Sequence, residues 1–308
     1  MVHSNQTLVT HFIIKGFSEV PEFQAIIFCL VLLIYIISIA GNLIIVILVC
    51  LDSYLKTPMY FFLCNLSLLD ISSVTVTLHK ILLIYISGNN KVSFLGCMTQ
   101  LFLFVALVGD ELSILTAMSY DRYVAICNPL RYQALMNHRV CTLMATICWL
   151  YGFLQAVPYI CLISSFSCYK SNVINHFFCD IVPLMQITCS DTSVLELYIL
   201  TGSNILVGLT PSFLTCVPYI FIISTILRIR SSTGRRKAFY TCSSHITVVV
   251  LLYVTLFFQY LRPVSMNNLN SKKLLSLFNT AAVPVLNPLI YSLKNKDVKS
   301  AMSRWLKS

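Results

Sequence analysis

The chain has 308 residues, of which 57% are hydrophobic and only 10% are charged, and its formal net charge is +10. Soluble domains carry about 25% charged residues, so this composition excludes an ordinary soluble protein and indicates a protein of the lipid bilayer. The positive charge does not indicate nucleic-acid binding, because the basic residues form short clusters beside apolar runs, as membrane topology requires.

Apolar runs of spanning length follow one another along the chain. Five of them contain no Asp, Glu, Lys or Arg, and each is about as long as a spanning helix needs to be, roughly 20 residues. These five runs are residues 23–51, 140–169, 197–227, 238–261 and 274–293. Two more, 58–87 and 93–127, are apolar with a few embedded charges. The sequence therefore predicts an all-α membrane protein, a bundle of seven transmembrane helices.

Lys and Arg are distributed unequally between the two sides of this bundle. With the N-terminus outside, fourteen of them lie on the cytosolic side and seven in the outer half. The positive-inside rule therefore favours an extracellular segment 1–22 and a cytosolic tail 293–308. Segment 1–22 is polar and mixed rather than a secretory signal peptide, so we expect the first span to direct its own insertion. Short loops without repeats or low-complexity linkers predict a single domain over residues 1–308.

Two features lie near the ends of the chain. Asn5-Gln6-Thr7 is an acceptor sequence for N-glycosylation, and the expected topology places Asn5 on the lumenal side, where that modification takes place. Segment 292–306 alternates basic residues with Leu, Val, Met and Trp, which predicts a short amphipathic helix on the inner leaflet.

The expected topology places four of the thirteen cysteines on the oxidising side: Cys97, Cys168, Cys179 and Cys189. Four cysteines allow three pairings, and their spacing alone does not choose between them. His176 and Cys179 are also soft metal ligands, but two neighbouring ligands without a second pair make a weak metal motif.

Charged residues inside the predicted spans are costly unless they have a function. Asp70 and Glu111 lie within the second and third spans, and Asp121-Arg122 lies at the inner end of the third. Asp70 and Glu111 need each other, a proton or a cation, because an isolated carboxylate in a membrane is unstable. A proton shared by the pair and a bound sodium ion both remain open.

Several blocks of the chain carry a family resemblance. Met118-Ser-Tyr-Asp-Arg-Tyr-Val-Ala-Ile-Cys127 closes the third span, and Leu55-Lys-Thr-Pro-Met-Tyr-Phe-Phe-Leu63 opens the second. Lys237-Ala-Phe-Tyr-Thr-Cys-Ser-Ser-His245 begins the sixth, and Pro284-Val-Leu-Asn-Pro-Leu-Ile-Tyr-Ser-Leu-Lys-Asn-Lys-Asp297 ends the seventh. Together with Gly41-Asn42 these blocks resemble the vertebrate olfactory receptors, rhodopsin-like G-protein-coupled receptors, and within them the terrestrial-type branch.

The resemblance implies roles for individual residues. It implies disulfides from Cys97 to Cys179 and from Cys168 to Cys189, and it adds Asn287 to Asp70 and Glu111 as a cluster that can hold sodium. It implies that Arg122 faces the G protein on activation. The residues it implies for activation and coupling are Asp121, Arg122, Tyr123, Tyr219, Asn287, Pro288 and Tyr291.

Helix geometry and family position together predict a ligand pocket between the outer halves of the third, fifth, sixth and seventh helices. The predicted lining residues are Phe104, Val105, Val108, Gly109, Ser203, Asn204, Val207, Tyr253, Leu256, Phe257, Tyr260, Leu277 and Thr280. This lining is mostly apolar with a few hydroxyl and amide groups, which suits a small, neutral, volatile molecule.

The resemblance implies an odorant receptor that activates a stimulatory olfactory G protein and raises cyclic AMP, in the plasma membrane of olfactory cilia. We expect no cofactor apart from the sodium ion left open above. No metalloprotease motif, nucleophile elbow or phosphate-binding glycine loop indicates an enzyme. A channel or transporter lined by Asp70 and Glu111 is the alternative class, although neither inverted repeats nor paired broken helices are evident. A receptor of the same fold for an endogenous metabolite, expressed outside the nose, is a further alternative.

Overall fold

The computed structural model describes residues 9–17, 21–260 and 269–305, and these residues are mostly helical. In chain order the helices are α1 (Pro21–Leu51), α2 (Pro58–Ser87), α3 (Phe94–Cys127), α4 (Tyr132–Leu135), α5 (His138–Ser164), α6 (Ile181–Ile187), α7 (Ser193–Tyr198), α8 (Thr210–Arg228), α9 (Ser232–Tyr260), α10 (Leu269–Leu277), α11 (Val283–Lys294) and α12 (Lys296–Trp305).

All seven predicted spans are present as helices. The fifth consists of α7, a π-helical segment Ile199–Leu209 and α8, and the seventh of α10, a π-helical segment Phe278–Ala282 and α11. Within the described residues, six helices are long and apolar enough to cross a membrane. The remaining span is α9, in which the described residues include the apolar stretch Cys242–Phe257. The predicted seven-helix bundle is confirmed.

Short polar residues define where the spans begin and end. Thr57 is in extended conformation before Pro58 at the first position of α2, where a proline costs no hydrogen bond. Gly88 ends the same helix with a φ of 69°, a left-handed conformation that favours glycine. The Ser93 hydroxyl accepts a hydrogen bond from the Gly96 amide at the start of α3.

A small sheet that the all-α prediction missed covers one end of the bundle. Its strands are β1 (His11–Ile14), β2 (Lys91–Ser93) and β3 (Val173–Ile174), in the order β2-β1-β3. Strand β1 is antiparallel to β2 and parallel to β3. Each strand has at most four residues, and its partners lie far away in the chain, so no local pattern predicts it.

The interior of the bundle is centred on α3, which packs against α2, α5 and α8. Its buried side chains include Leu101, Leu112 and Leu115. Large apolar side chains on the outer helix faces remain exposed, for example Phe23 at 54%. An apolar exterior around a packed apolar interior is the arrangement of a protein whose solvent is lipid.

The two ends of the bundle carry different features. The disulfide end carries the sheet and the bonds Cys97–Cys179 and Cys168–Cys189. The Arg122 end carries Arg122 at the end of α3, together with α4 and α12.

The C-terminal helix α12 begins later than the pattern over 292–306 predicted. Asn295 is in extended conformation, and its side chain accepts hydrogen bonds from the amides of Asp297 at 2.9 Å and Val298 at 3.4 Å. It thus acts as the N-cap that separates α12 from α11. Val298 and Ala301 are buried against the bundle, which confirms the short amphipathic helix.

Candidate functional site

At the disulfide end, Cys97 bonds to Cys179 and Cys168 bonds to Cys189, which is the pairing that the resemblance implies. The Cα atoms are 5.5 Å and 5.2 Å apart, within the usual range for disulfides. Because the bond takes the thiol of Cys179, the metal motif with His176 does not form. No group of three or more potential metal-ligating His, Cys, Asp or Glu side chains occurs among the residues that the structure describes.

The first of these bonds holds a loop over the bundle interior. His176, Phe177 and Phe178 are buried there, and the Phe178 ring meets the Phe104 ring edge-on at 4.8 Å between centroids. The Cys179 amide donates a hydrogen bond of 3.0 Å to the Gln100 side chain of α3. Burial, and secondly the charge of Lys273, lowers the pKa of His176 to about 3. The loop is therefore a neutral, aromatic cover.

Of the predicted pocket residues on α3, Phe104, Val105 and Val108 pack against the apolar interior, whereas Gly109 lies against α5. Phe104 lies under the loop, and Val108 packs in the apolar interior. The Val105 carbonyl accepts a hydrogen bond of 2.8 Å from Gln155 of α5. Gly109 also faces α5, since a Cβ there would stand 3.1 Å from the Cα atom of Gly152. Gly109 is therefore a helix-crossing residue rather than a pocket residue.

The predicted pocket residues on α9 fall on both the inner and the outer face of the helix. Tyr253 and Leu256 are partly buried and pack against the interior. Phe257 is 57% exposed, an exposure close to that of the lipid-facing Phe23. It follows the buried Leu252 by five residues, which turns it by about 140° from the inner face. Phe257 is thus wrongly predicted as a lining residue.

The fifth and seventh helices, together with Tyr260 of α9, carry the remaining predicted lining residues. Thr280 is buried and donates a hydrogen bond of 2.8 Å to the Ser276 carbonyl, while Leu277 packs beside Val31 and Leu78. The side chains of four predicted residues lie outside the described part of the chain: Ser203, Asn204, Val207 and Tyr260. Asn5 lies outside it as well. Both π-helical segments fall among the predicted lining residues, and π-helical turns are frequent at functional sites.

The sequence prediction missed a hydroxyl cluster beneath Tyr253. The hydroxyls of Thr116 on α3 and Thr215 on α8 are 3.0 Å apart, and Ser119 donates a bond of 2.8 Å to the Thr215 carbonyl. The Tyr253 hydroxyl is buried beside Thr116 and Thr215. The helical spacing of Thr116 and Ser119 on α3 is the sequence pattern that could have indicated this cluster.

The buried acids lie near each other in the middle of the bundle. The Asn287 amide donates bonds of 3.2 Å and 3.0 Å to the two Asp70 carboxylate oxygens. Glu111 is 9% exposed, and its Oε1 atom has no hydrogen-bond partner among the described residues. The two carboxylates offer hard oxygen ligands beside the Asn287 amide, so either a sodium ion or a proton held between the acids would balance them.

A third acid, Asp110, was overlooked although it lies in the same span as Glu111. It is 0% exposed, and within the described residues neither carboxylate oxygen has a hydrogen-bond partner. Its carboxyl group occupies the space that a Cβ atom of Gly152 would fill. Such a group in a membrane interior is stable only when protonated or paired.

At the Arg122 end, Arg122 forms an ion pair with Asp121, and its Nε donates a further bond of 3.0 Å to the same oxygen. The other Asp121 oxygen accepts a bond of 2.8 Å from the Tyr132 hydroxyl of α4. Both carboxylate oxygens of Asp121 are thus engaged, and Arg122 is held against its own helix. Tyr132 is a residue that sequence reasoning missed.

The predicted activation tyrosines surround this pair. The Tyr219 hydroxyl bonds to His245 of α9, which lies in a block quoted for the resemblance but received no role. Tyr291 is fully buried, and its hydroxyl has no partner among the described residues. Tyr123 packs edge-on against Phe221 at 5.9 Å between centroids.

The contact between α1 and α11 explains the block Gly41-Asn42. A Cβ atom at Gly41 would stand only 3.1 Å from the Pro288 ring, so glycine permits the close approach. The Asn42 amide donates bonds to the carbonyls of Ser38 at 3.0 Å and Pro284 at 2.9 Å. Asn42 thereby satisfies a carbonyl near Pro288, which itself lacks an amide hydrogen.

Comparisons with known proteins agree with this architecture. A family model described as olfactory receptor matches residues 28–308. The chain is 46% identical to mouse olfactory receptor 8G50 over 307 residues, covering 99% of this chain and 97% of the relative. It is 44% identical to human olfactory receptor 8B3 over 309 residues, covering 99% and 97%. Squid rhodopsin superposes with a TM-score of 0.70 at 20% identity, covering 94% of this chain and 87% of the rhodopsin chain, and so supports the fold.

Proposed function

The chain belongs to the olfactory receptor family, and from that premise we propose that it binds a small volatile organic molecule inside the helix bundle and activates a stimulatory olfactory G protein, which raises cyclic AMP. It is a multi-pass G-protein-coupled receptor rather than an enzyme. In this proposal the disulfide end is extracellular, the Arg122 end faces the cytosol, and the protein resides in the plasma membrane of olfactory cilia.

One observation carries the signalling part of the proposal, namely the restrained Arg122. Its guanidinium is held by Asp121, which Tyr132 holds in turn. Each of these contacts is exchangeable, unlike the disulfides at the other end. An odorant that prefers the state with Arg122 released shifts the population towards that state and towards G-protein binding.

For the ligand we propose the space beneath the aromatic loop, bordered by Phe104, Val108, Tyr253, Leu256 and Thr280. Its border is mostly apolar and carries few hydroxyl groups, which fits a neutral molecule with a single polar group. The hydroxyl cluster of Thr116 and Thr215 lies on the path from this space to the Arg122 end. Movement of Tyr253 against that cluster is the proposed first step of transmission.

We propose one further partner, at Asp70, Glu111 and Asn287, where either a sodium ion or a shared proton balances the acids. Unfolding temperature in NaCl and in KCl at equal ionic strength separates these occupants. A sodium ion stabilises the receptor only in NaCl, and Asp70→Asn removes the difference. A shared proton gives equal temperatures in both salts.

Cyclic AMP tests the function directly, in cells that display the receptor and contain an olfactory-type G protein. The cells receive an odorant panel, and the wild type is compared with Arg122→Ala and with the matched control Arg131→Ala, an exposed arginine at the same end. We expect a response from the wild type and the control and none from Arg122→Ala at equal surface level. Equal responses, or an ion current without cyclic AMP, would overturn the coupling mechanism and favour a channel.

A further inference from the structure

Cys50 and Cys64 are two thiols in contact where α1 and α2 meet, at the Arg122 end of the bundle. Cys50 is the last residue but one of α1, and Cys64 lies in the second turn of α2. Neither belongs to a disulfide, and the two thiol groups are in hydrogen-bond contact with each other. Nothing in the proposed signalling mechanism uses them.

Helix packing holds the two thiols together. Leu48 of α1, two residues before Cys50, and Leu63 of α2, next to Cys64, are buried in one apolar cluster. The connection between the helices is fixed as well, because the Asp52 carboxylate accepts a bond of 2.9 Å from the Tyr54 amide. The contacts that join α1 to α2 therefore keep each thiol within reach of the other.

The two cysteines differ in exposure. Cys50 is exposed, whereas Cys64 is partly buried. Cys50 also lies two residues before Asp52, which forms an ion pair with Arg304 of α12. Charged groups avoid the lipid interior, so this ion pair places Cys50 near the polar boundary of the span. An oxidant therefore reaches Cys50 first and finds Cys64 beside it. An accessible cysteine next to a second, resolving cysteine is the usual arrangement of a redox-sensing pair.

We propose that Cys50 and Cys64 form a reversible disulfide in response to a hydroperoxide, either hydrogen peroxide or a lipid hydroperoxide. The Cys50 sulfur takes one peroxide oxygen as the O–O bond breaks, and the thiol proton leaves with the other oxygen as water or an alcohol. The Cys64 sulfur then attacks the sulfenic acid of Cys50. The S–S bond forms, and the hydroxyl group leaves with the Cys64 proton as water. The peroxide thus gains the two electrons that the thiols lose.

The resting state of the pair is the open dithiol. In the proposed topology the Arg122 end faces the cytosol, where thiols are kept reduced and disulfides are transient. Thiol exchange with a cytosolic reductant such as glutathione reopens the bond. The reducing surroundings rest on the proposed function, whereas the pair itself rests on the contact between the two thiols.

Peptide mapping of the full-length receptor in membranes tests the proposal. One sample receives hydrogen peroxide and another receives cumene hydroperoxide, which partitions into lipid, and N-ethylmaleimide then blocks the remaining thiols. Trypsin cuts after Lys56, between the two cysteines, so their disulfide joins two peptides that dithiothreitol separates. We expect the joined peptides in at least one sample, and the sample that yields more of them identifies the source of the oxidant. Their absence from both samples overturns the proposal.

Serine variants test the order of the two steps. In Cys64→Ser the sulfenic acid of Cys50 has no second thiol, so we expect dimedone to label Cys50. In Cys50→Ser we expect no label on Cys64. Cys29→Ser removes another exposed thiol of α1, about 30 Å along the helix, and should retain the Cys50–Cys64 disulfide. Unlabelled Cys50 in Cys64→Ser, or a disulfide from Cys50 to Cys127 or Cys242 in the wild type, overturns the assignment.

The unfolding temperature provides a second readout. A disulfide between residues 50 and 64 restrains the unfolded chain. We expect the peroxide-treated wild type to unfold several degrees above peroxide-treated Cys50→Ser, and the untreated proteins to unfold at similar temperatures. Equal temperatures after treatment would show that no bond joins the two helices.

A cyclic AMP measurement on the same cells separates this inference from the proposed function. A missing disulfide together with a normal odorant response overturns the redox pair alone. A Cys50–Cys64 disulfide in a receptor that never raises cyclic AMP supports the redox pair and counts against the proposed signalling.

Discussion

The disulfide end and the Arg122 end of the bundle are held together by different chemistry. At the disulfide end, two covalent bonds and a three-stranded sheet tie the loop over the helices. At the Arg122 end, the described residues are joined by exchangeable contacts, among them Arg122 with Asp121, Tyr132 with Asp121 and Tyr219 with His245. Cys50, Cys127 and Cys242 at that end are free thiols.

The two kinds of chemistry suit two different tasks in one bundle. A site that recognises a small molecule benefits from a fixed frame, because ordering a mobile site reduces affinity. A switching end needs contacts that can be exchanged at low cost, and a hydrogen bond contributes only about 1 kcal/mol net. The bundle thus combines a covalently fixed end with a weakly held end.

Opening a disulfide should destabilise the receptor more than any of the other substitutions. Cys97→Ser opens the bond to Cys179, and loss of a native disulfide costs about 2–5 kcal/mol. We expect a lower unfolding temperature and little receptor at the cell surface. Cys161→Ser, which removes an exposed free thiol on α5, is the matched control. Equal unfolding temperatures for the two variants would contradict the view that the disulfide fixes this end.

The middle of the bundle tests whether the two ends share one rigid core. In Gly152→Ala the new Cβ meets the Asp110 carboxyl and comes within 2.5 Å of the Ala106 carbonyl. Such overpacking costs about 1–3 kcal/mol, so thermal unfolding in detergent should occur at a lower temperature. Gly208→Ala is the control, since its Cβ finds no atom within 4 Å. If Gly152→Ala unfolded like the control, α3 and α5 would not be in close contact.

Acid should weaken the disulfide end through His176. Its pKa is about 3 in the folded protein and 6.5 in an exposed chain, so its contribution to stability is complete above about pH 6.5 and falls as the pH drops towards 3. Within that window the loss is up to about 1.4 kcal/mol per pH unit.

Unfolding temperatures at pH 7 and pH 5.5 measure this dependence. We expect His176→Gln to flatten it and His138→Gln, an exposed histidine at the Arg122 end, to leave it unchanged. A pH dependence that survives in His176→Gln would assign it to other groups.

The smallest expected effect on stability comes from Tyr132→Phe at the Arg122 end. This change removes the 2.8 Å bond to Asp121, worth about 1 kcal/mol, and so weakens the restraint on Arg122. Basal cyclic AMP should rise while the surface level stays normal. Tyr54→Phe, at an exposed tyrosine of the same end, should not change it. Basal activity equal to wild type in Tyr132→Phe would show that Tyr132 does not hold the resting state.

Much of the fold was predictable, because span length and apolar composition are local properties. The helices α1, α2, α3 and α5 closely follow their apolar runs. The sheet was not predictable, since β1 pairs with strands far along the chain. The two π-helical segments were not predictable either, and each rotates the residues that follow it away from a regular spacing.

The sequence predicted which residues form the candidate site better than it predicted the helix face on which each one lies. Sequence blocks identified Arg122 and Asn287, and its charge inside a span identified Asp70; the structure places all three in polar clusters. The direction of a side chain about the helix axis was harder to predict, and Gly109 and Phe257 were assigned to the wrong faces. Partners such as Tyr132 and Gln155 come from other helices, and only the packed bundle reveals them.

Distances measured across each end test whether the Arg122 end alone moves on activation. Spin labels on non-natural residues at Asn128 and Ser232 report on the Arg122 end, and labels at Asn89 and Ser171 report on the disulfide end. Both pairs are measured with and without an odorant that raises cyclic AMP. We expect the odorant to lengthen the first distance by several ångströms and to leave the second unchanged. A fixed Arg122 end, or a disulfide end that moves instead, would contradict it.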